Sequence, residues 1–215
     1  AVAAAAPVAQ IPSATPTGAM VSKPLPPAQG VVATTDVLKL VLDGGSVREA
    51  DLLKYPRTRD ANSPPVALLN ADPARFYAAQ SGWVGQNGAP APNHQAGFVP
   101  LEPGKAYALA PGQDTLEVPF IWNGANGVSI HRTFVLKRGS YAVEVRDVVR
   151  NGGTAPWTGY VYRQLVQVPQ AIQANMFHPE SYSFHGAAWY SRDGGYERRR
   201  FDDYLDDGKV NRTIE

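Results

Sequence analysis

The stretch that decides the fold is HRTFVLKRGSYAVEVRDVVRN, His131 to Asn151. It reads as two β-strands joined at Arg138-Gly139-Ser140, with Gly139 supplying the backbone freedom of a tight turn. In the second strand Tyr141, Val143 and Val145 fall on one face and Glu144, Arg146 and Arg150 on the other. That alternation marks a strand with one face buried and one in water. In the first strand Phe134 and Leu136 share a face. Working outward, Leu116, Val118, Phe120 and Trp122 repeat at period two. Asn123-Gly124 and Asn126-Gly127 then supply turn chemistry before Val128 and Ile130. The reading is a three-stranded antiparallel meander over Thr115 to Asn151, the centre of an all-β protein.

The rest of the chain agrees. Val37 to Leu42 is β-branched and apolar, Asp43-Gly44-Gly45-Ser46 is a hairpin signal, and Val47 to Tyr55 is the return strand, closed by Pro56. Short strands are expected at Val66–Leu69, Phe76–Trp83 and Tyr107–Leu109, and a longer one over Trp157–Val168. A long Asn-, Pro- and Gly-rich loop runs from Gly85 to Gly97. Pro169 to Met176 fits either a helical turn or an irregular segment. Tyr182–Tyr190 and Tyr196–Asp202 read as two more strands around the turn Ser191–Gly195. Residues 1–33 are Ala- and Pro-rich with Lys23 as the only charge. Such a segment buries too little apolar surface to offset its ordering entropy, so it is expected to be a disordered linker, with the folded domain over 34–215.

Charge is balanced, 20 Lys plus Arg against 19 Asp plus Glu, which speaks against a nucleic-acid partner. The absence of Cys removes disulfides and thiol chemistry. No apolar run reaches the roughly eighteen residues a membrane span requires. The four histidines, His94, His131, His178 and His185, form no zinc-type pair, and no metal or cofactor is expected. Ser81 and Ser140 sit beside glycines but in no nucleophile elbow, and no phosphate loop occurs. Asp202-Asp203 and Asp206-Asp207 read as a solvated acidic surface rather than an acid–base pair. No enzyme is expected.

Five segments, in order, carry a resemblance. They are Thr35-Asp36-Val37-Leu38 through Gly44-Gly45 to Ala50-x-Leu52-x-x-Tyr55-Pro56; Tyr77-x-Ala79-Gln80-Ser81-Gly82; TFVLKRGSYAVEV (133–145); Gly186-Ala187-Ala188 followed by an aromatic and Ser191; and Tyr196-x-Arg198-x-x-Phe201-Asp202. Together they resemble the first periplasmic domain of the YidC family of membrane protein insertases, although the family's turn before the two glycines is often slightly longer. The resemblance implies an antiparallel β-supersandwich of the galactose mutarotase-like type, with further strands of the family's sandwich beyond Glu215 and a transmembrane helix upstream of the linker. It implies a non-enzymatic place on the periplasmic side of the bacterial inner membrane, in a parent protein that is itself membrane-embedded. The parent would serve nascent membrane proteins with or without the Sec translocon, this domain docking partners or holding substrates. It also implies contact with the SecF subunit of SecDF. The surface expected to carry that contact is Tyr182, Phe184, Tyr190, Tyr196, Arg198, Arg199, Arg200 and Phe201, because aromatics and Arg are the types enriched at interface centres. The alternatives are an ordinary strand pair with those aromatics in a core, a carbohydrate-binding or mutarotase-like sandwich with paired acids in a cleft, and a generic cell-envelope scaffold.

Overall fold

A computed structural model describes residues 30–168, 184–201 and 203. Among them the chain forms thirteen strands. The first five are β1 (Val31–Thr34), β2 (Leu38–Leu42), β3 (Ser46–Pro56), β4 (Pro65–Leu69) and β5 (Tyr77–Gly85). Two short strands follow, β6 (Val99–Pro100) and β7 (Tyr107–Ala108). The meander is β8 (Thr115–Asn123), β9 (Val128–Lys137) and β10 (Val143–Asn151). The last three are β11 (Gly159–Gln167), β12 (Gly186–Ser191) and β13 (Gly195–Arg200). Two short 3-10 turns, Pro73–Arg75 and Gln86–Gly88, are the named helical elements, and no helix of the described residues is long and apolar enough to cross a membrane.

Seven strands make one sheet in the order β11-β5-β3-β2-β1-β7, with β4 also on β3. The meander makes a second sheet, β10-β9-β8-β6, and among the described residues β12 pairs only with β13. Pairing is antiparallel except between β1 and β7. The two large sheets share one core, because period-two alternation turns Leu38, Leu40 and Leu42 from one sheet toward Leu116, Val118, Phe120, Ile130, Phe134 and Leu136 from the other. At its centre the Phe120 and Phe134 rings meet edge-on, 5.7 Å between centroids, a geometry that adds about 0.5–1.5 kcal/mol beyond area burial.

The β2–β3 turn forms as its residues dictate. Asp43 Oδ1 accepts from the main-chain N–H of Ser46 at 2.6 Å and of Gly45 at 3.2 Å, and Gly44 takes a φ of +84°, open to glycine at little cost. Strand β1 starts three residues before the expected boundary at Thr34. Val31 and Ala33 are buried where β1 lies between β2 and β7, so even the short run Val31-Val32-Ala33 gains a core on pairing. The expected linker, up to residue 29, lies outside the described residues. Tyr141 is not on the β10 face but in the preceding loop, 41% exposed and tilted against Tyr55. Trp157 precedes β11 and packs on Trp83.

Candidate functional site

The β12–β13 hairpin carries most of the residues expected to meet a partner. Cross-strand register sets Gly186 opposite Arg200, Ala188 opposite Arg198 and Tyr190 opposite Tyr196. Directly opposed residues share a face, so Tyr190, Tyr196, Arg198 and Arg200 stand together. That face is the open one: Tyr190 is 67% and Tyr196 68% exposed. The other face carries Trp189, Glu197 and Arg199, all half-buried, with Arg199 Nη2 donating to the main-chain oxygen of Asp203 at 3.0 Å. Arg199 is therefore separated from its sequence neighbours. Phe184 precedes β12 and lies under the Arg198 guanidinium, 5.3 Å from carbon to ring centroid. Phe201 follows β13, half-buried, with its N–H donating to His185 O. Tyr182 and His178 lie outside the described residues, as do Asp202, Asp206 and Asp207. The exposure of Tyr190 and Tyr196 departs from the ordinary strand pair with its aromatics in a core.

A second feature lies between the two large sheets. A groove of about 360 Å³ is walled by Val47, Ala79, Phe134, Val143 and Val145, with Arg163 and the cross-strand pair Gln80 and Gln164, hydrogen-bonded at 2.7 Å, on the β5–β11 side. No carboxylate or histidine lines it. Among the described residues no three His, Cys, Asp or Glu side chains gather as metal ligands would.

Beside the groove the sheets are bridged by a polar cluster that sequence reasoning missed. Arg132, fully buried, donates through Nε and Nη2 to the two oxygens of Asp147 at 2.8 and 2.7 Å. Its Nη1 reaches the other sheet, to Gly44 O at 3.1 Å, Ser81 O at 3.2 Å and Ser81 Oγ at 3.0 Å. Trp83 Nε1 donates to Asp147 Oδ2 at 2.8 Å, and the guanidinium lies 4.2 Å from the Phe98 ring centroid. Every group in the bridge is satisfied from within, which makes it a structural tie. The signal was available: Arg132 falls at the period-two position between Ile130 and Phe134, and Asp147 continues the inward series of Val143 and Val145.

Nearby, Asp43 Oδ2 accepts from buried Arg48 Nη1 at 3.3 Å. Burial still outweighs the arginine's charge and pushes the Asp43 carboxyl above the usual range. His94 holds the Tyr162 hydroxyl through its main-chain N–H at 2.9 Å and its Nδ1 at 2.6 Å. Burial lowers the His94 pKa, with Asp43 opposing, and raises that of Tyr162.

Comparison with known proteins gives a consistent answer. The sequence model of a family described as the YidC periplasmic domain matches residues 31–215. A curated protein named membrane protein insertase YidC, from Xylella fastidiosa (strain 9a5c), is 52% identical over 182 residues, covering 84% of this chain and 32% of that protein. Proteins of the same name from Xanthomonas oryzae pv. oryzae (strain PXO99A) and Xanthomonas axonopodis pv. citri (strain 306) are each 52% identical over 184 residues, 86% of this chain and 32% of theirs. The chain spans about a third of the length of these relatives.

Proposed function

The chain belongs to the YidC periplasmic domain family, and from that premise we propose that it is the periplasm-facing part of a longer membrane protein insertase in the bacterial inner membrane. It is a non-catalytic domain that docks partners, with the residues before β1 as its tether. The parent acts on nascent membrane proteins, with or without the Sec translocon. The observation that carries the docking role is the open face of Tyr190, Tyr196, Arg198 and Arg200 on the β12–β13 hairpin. These are residue types that dominate binding energy at interfaces, set outside the core that holds the large sheets together. The partner proposed is the SecF subunit of SecDF, as the family resemblance implies. The groove between the sheets is the place for the second role, substrate holding. Its apolar walls without a carboxylate or histidine favour this reading over a sugar-processing cleft, which needs paired acids or an acid and a histidine.

The test is a pull-down of solubilised SecDF by the chain and by a variant with Tyr190, Tyr196, Arg198 and Arg200 changed to Ala, both checked by circular dichroism for an unchanged β spectrum. Capture by the unmodified chain and its loss in the folded variant is the expected result. No capture by the unmodified chain would overturn the docking reading, and capture that survives the four changes would move it off this face.

A further inference from the structure

The docking face has a chemistry of its own, and we infer that it recognises an extended acidic segment of a protein partner whose carboxylates recur at every second residue. This rests on the docking reading above and names the kind of surface that would dock. Arg198 and Arg200 are two residues apart on β13 and so point the same way, their Cα atoms about 6.5–7 Å apart at the rise of a strand. The residues opposite them on β12 are the two smallest available, Ala188 and Gly186. No long side chain of β12 stands opposite them; the Phe184 ring, just before β12, lies over Gly186 and against the Arg198 guanidinium, and the result is a shallow basic shelf with one aromatic flank.

No Asp or Glu shares that face among the described residues. Glu197 is on the opposite face, and Asp203 lies past the end of β13, where its Oδ2 accepts from the main-chain N–H of Arg200 at 3.1 Å. At one end the shelf is bounded by Tyr190 and Tyr196, which offer broad amphipathic contact without an apolar anchor. Charge complementarity then asks for carboxylates, and the two-residue spacing asks for them on one side of an extended chain. β13 also has β12 on one side only among the described residues, which leaves main-chain groups before Arg200 for an added strand. An anionic lipid surface meets the charge but reads no spacing.

The probe is a fluorescently labelled, capped decapeptide with Glu at alternate positions and Thr or Val between them. Its control has the same composition with the glutamates grouped together. Binding to the full chain is followed by anisotropy at low and physiological salt. The alternating peptide is expected to bind the more tightly of the two and to weaken as salt rises. Arg198→Glu/Arg200→Glu is expected to weaken it about tenfold or more, as loss of two charge contacts implies. Changing the peptide's Glu to Lys should restore binding to that variant alone, which removes misfolding as an explanation. Arg198→Lys/Arg200→Lys should retain most of the affinity.

Equal binding of the two peptides, or no reciprocal rescue, would overturn the inference. So would binding to phosphatidylglycerol vesicles without binding to either peptide. If the peptides fail while SecDF is still captured through this face, the docking role stands and its acidic chemistry falls. If both fail, the docking role falls as well.

Discussion

Removing Asp147 is expected to do more damage than its position near the surface suggests. Asp147 is 12% exposed, but its partner Arg132 is wholly buried and sends two of its three nitrogens to the Asp147 carboxylate. In Asp147→Leu the guanidinium keeps only Gly44 and Ser81 in the facing sheet, so a largely uncompensated charge is left in the core. Stripping one partner from a buried pair costs about 3–5 kcal/mol, and Trp83 Nε1 loses its acceptor too. For a domain of this size about 1 kcal/mol corresponds to about 2–4 °C in Tm, so a fall of about 6–20 °C is expected. The double variant Arg132→Met/Asp147→Leu removes the stranded charge and should cost less than the two single changes added, by about 1–3 kcal/mol. Urea denaturation of the four proteins, followed by tryptophan fluorescence and circular dichroism, closes the cycle. A loss under about 1 kcal/mol in Asp147→Leu, or strict additivity, would refute the claim that this pair ties the two sheets.

Gly44→Ala should cost about 2–5 kcal/mol, the sum of a left-handed backbone and overpacking, because a Cβ there would lie 2.6 Å from Phe98 Cβ and 2.9 Å from Phe120 Cδ1. Gly112→Ala, with a φ of +79° but nothing within 4 Å, should cost only the backbone part, about 1–2 kcal/mol, and urea midpoints compare the two. Burial holds the folded His94 pKa below its ordinary 6.5, so the unfolded chain binds the proton more readily. That contribution to stability is full above pH 6.5 and is lost as pH falls through the folded value. Denaturation curves at pH 7.5 and 5.5 should therefore show a pH slope that is shallower in His94→Gln. Asp43 has the opposite sign: with its pKa raised, its contribution is full below 3.8 and lost as pH rises through the folded value, and the histidine variant isolates one from the other.

The meander was legible because its chemistry is local. The inward series Leu116, Val118, Phe120 and Trp122 is buried throughout β8, and Asp43-Gly44-Gly45-Ser46 folds into its turn through hydrogen bonds within four residues. What escaped depends on partners distant in sequence. β1 is a strand because β2 and β7 flank it, and β6 is a two-residue pairing that no periodicity can display. Alternation also loosens late in β10, where Val148 is 46% and Val149 38% exposed. On the hairpin, counting by two from Tyr196 would already have grouped Arg198 with Arg200 and set Arg199 apart. What the sequence alone withheld was which of the two faces lay open.

Arginines in this chain perform two opposed tasks, and their surroundings separate them. Arg132 is buried and saturated: a carboxylate, two carbonyls and a hydroxyl take its donors, and Phe98 covers its plane. Its charge is spent inside the fold, and altering it should change stability before it changes any partner. Arg198 and Arg200 are exposed on a two-stranded ribbon opposite Ala188 and Gly186, where altering them should leave the sandwich core untouched. A surface meant only to keep the chain soluble would gain from mixing signs along such a ribbon. Here one face collects two arginines and two tyrosines while Glu197 is turned to the other. That segregation follows from placing the cations at alternate positions of one strand, and it is the arrangement in which two charges act on the same partner.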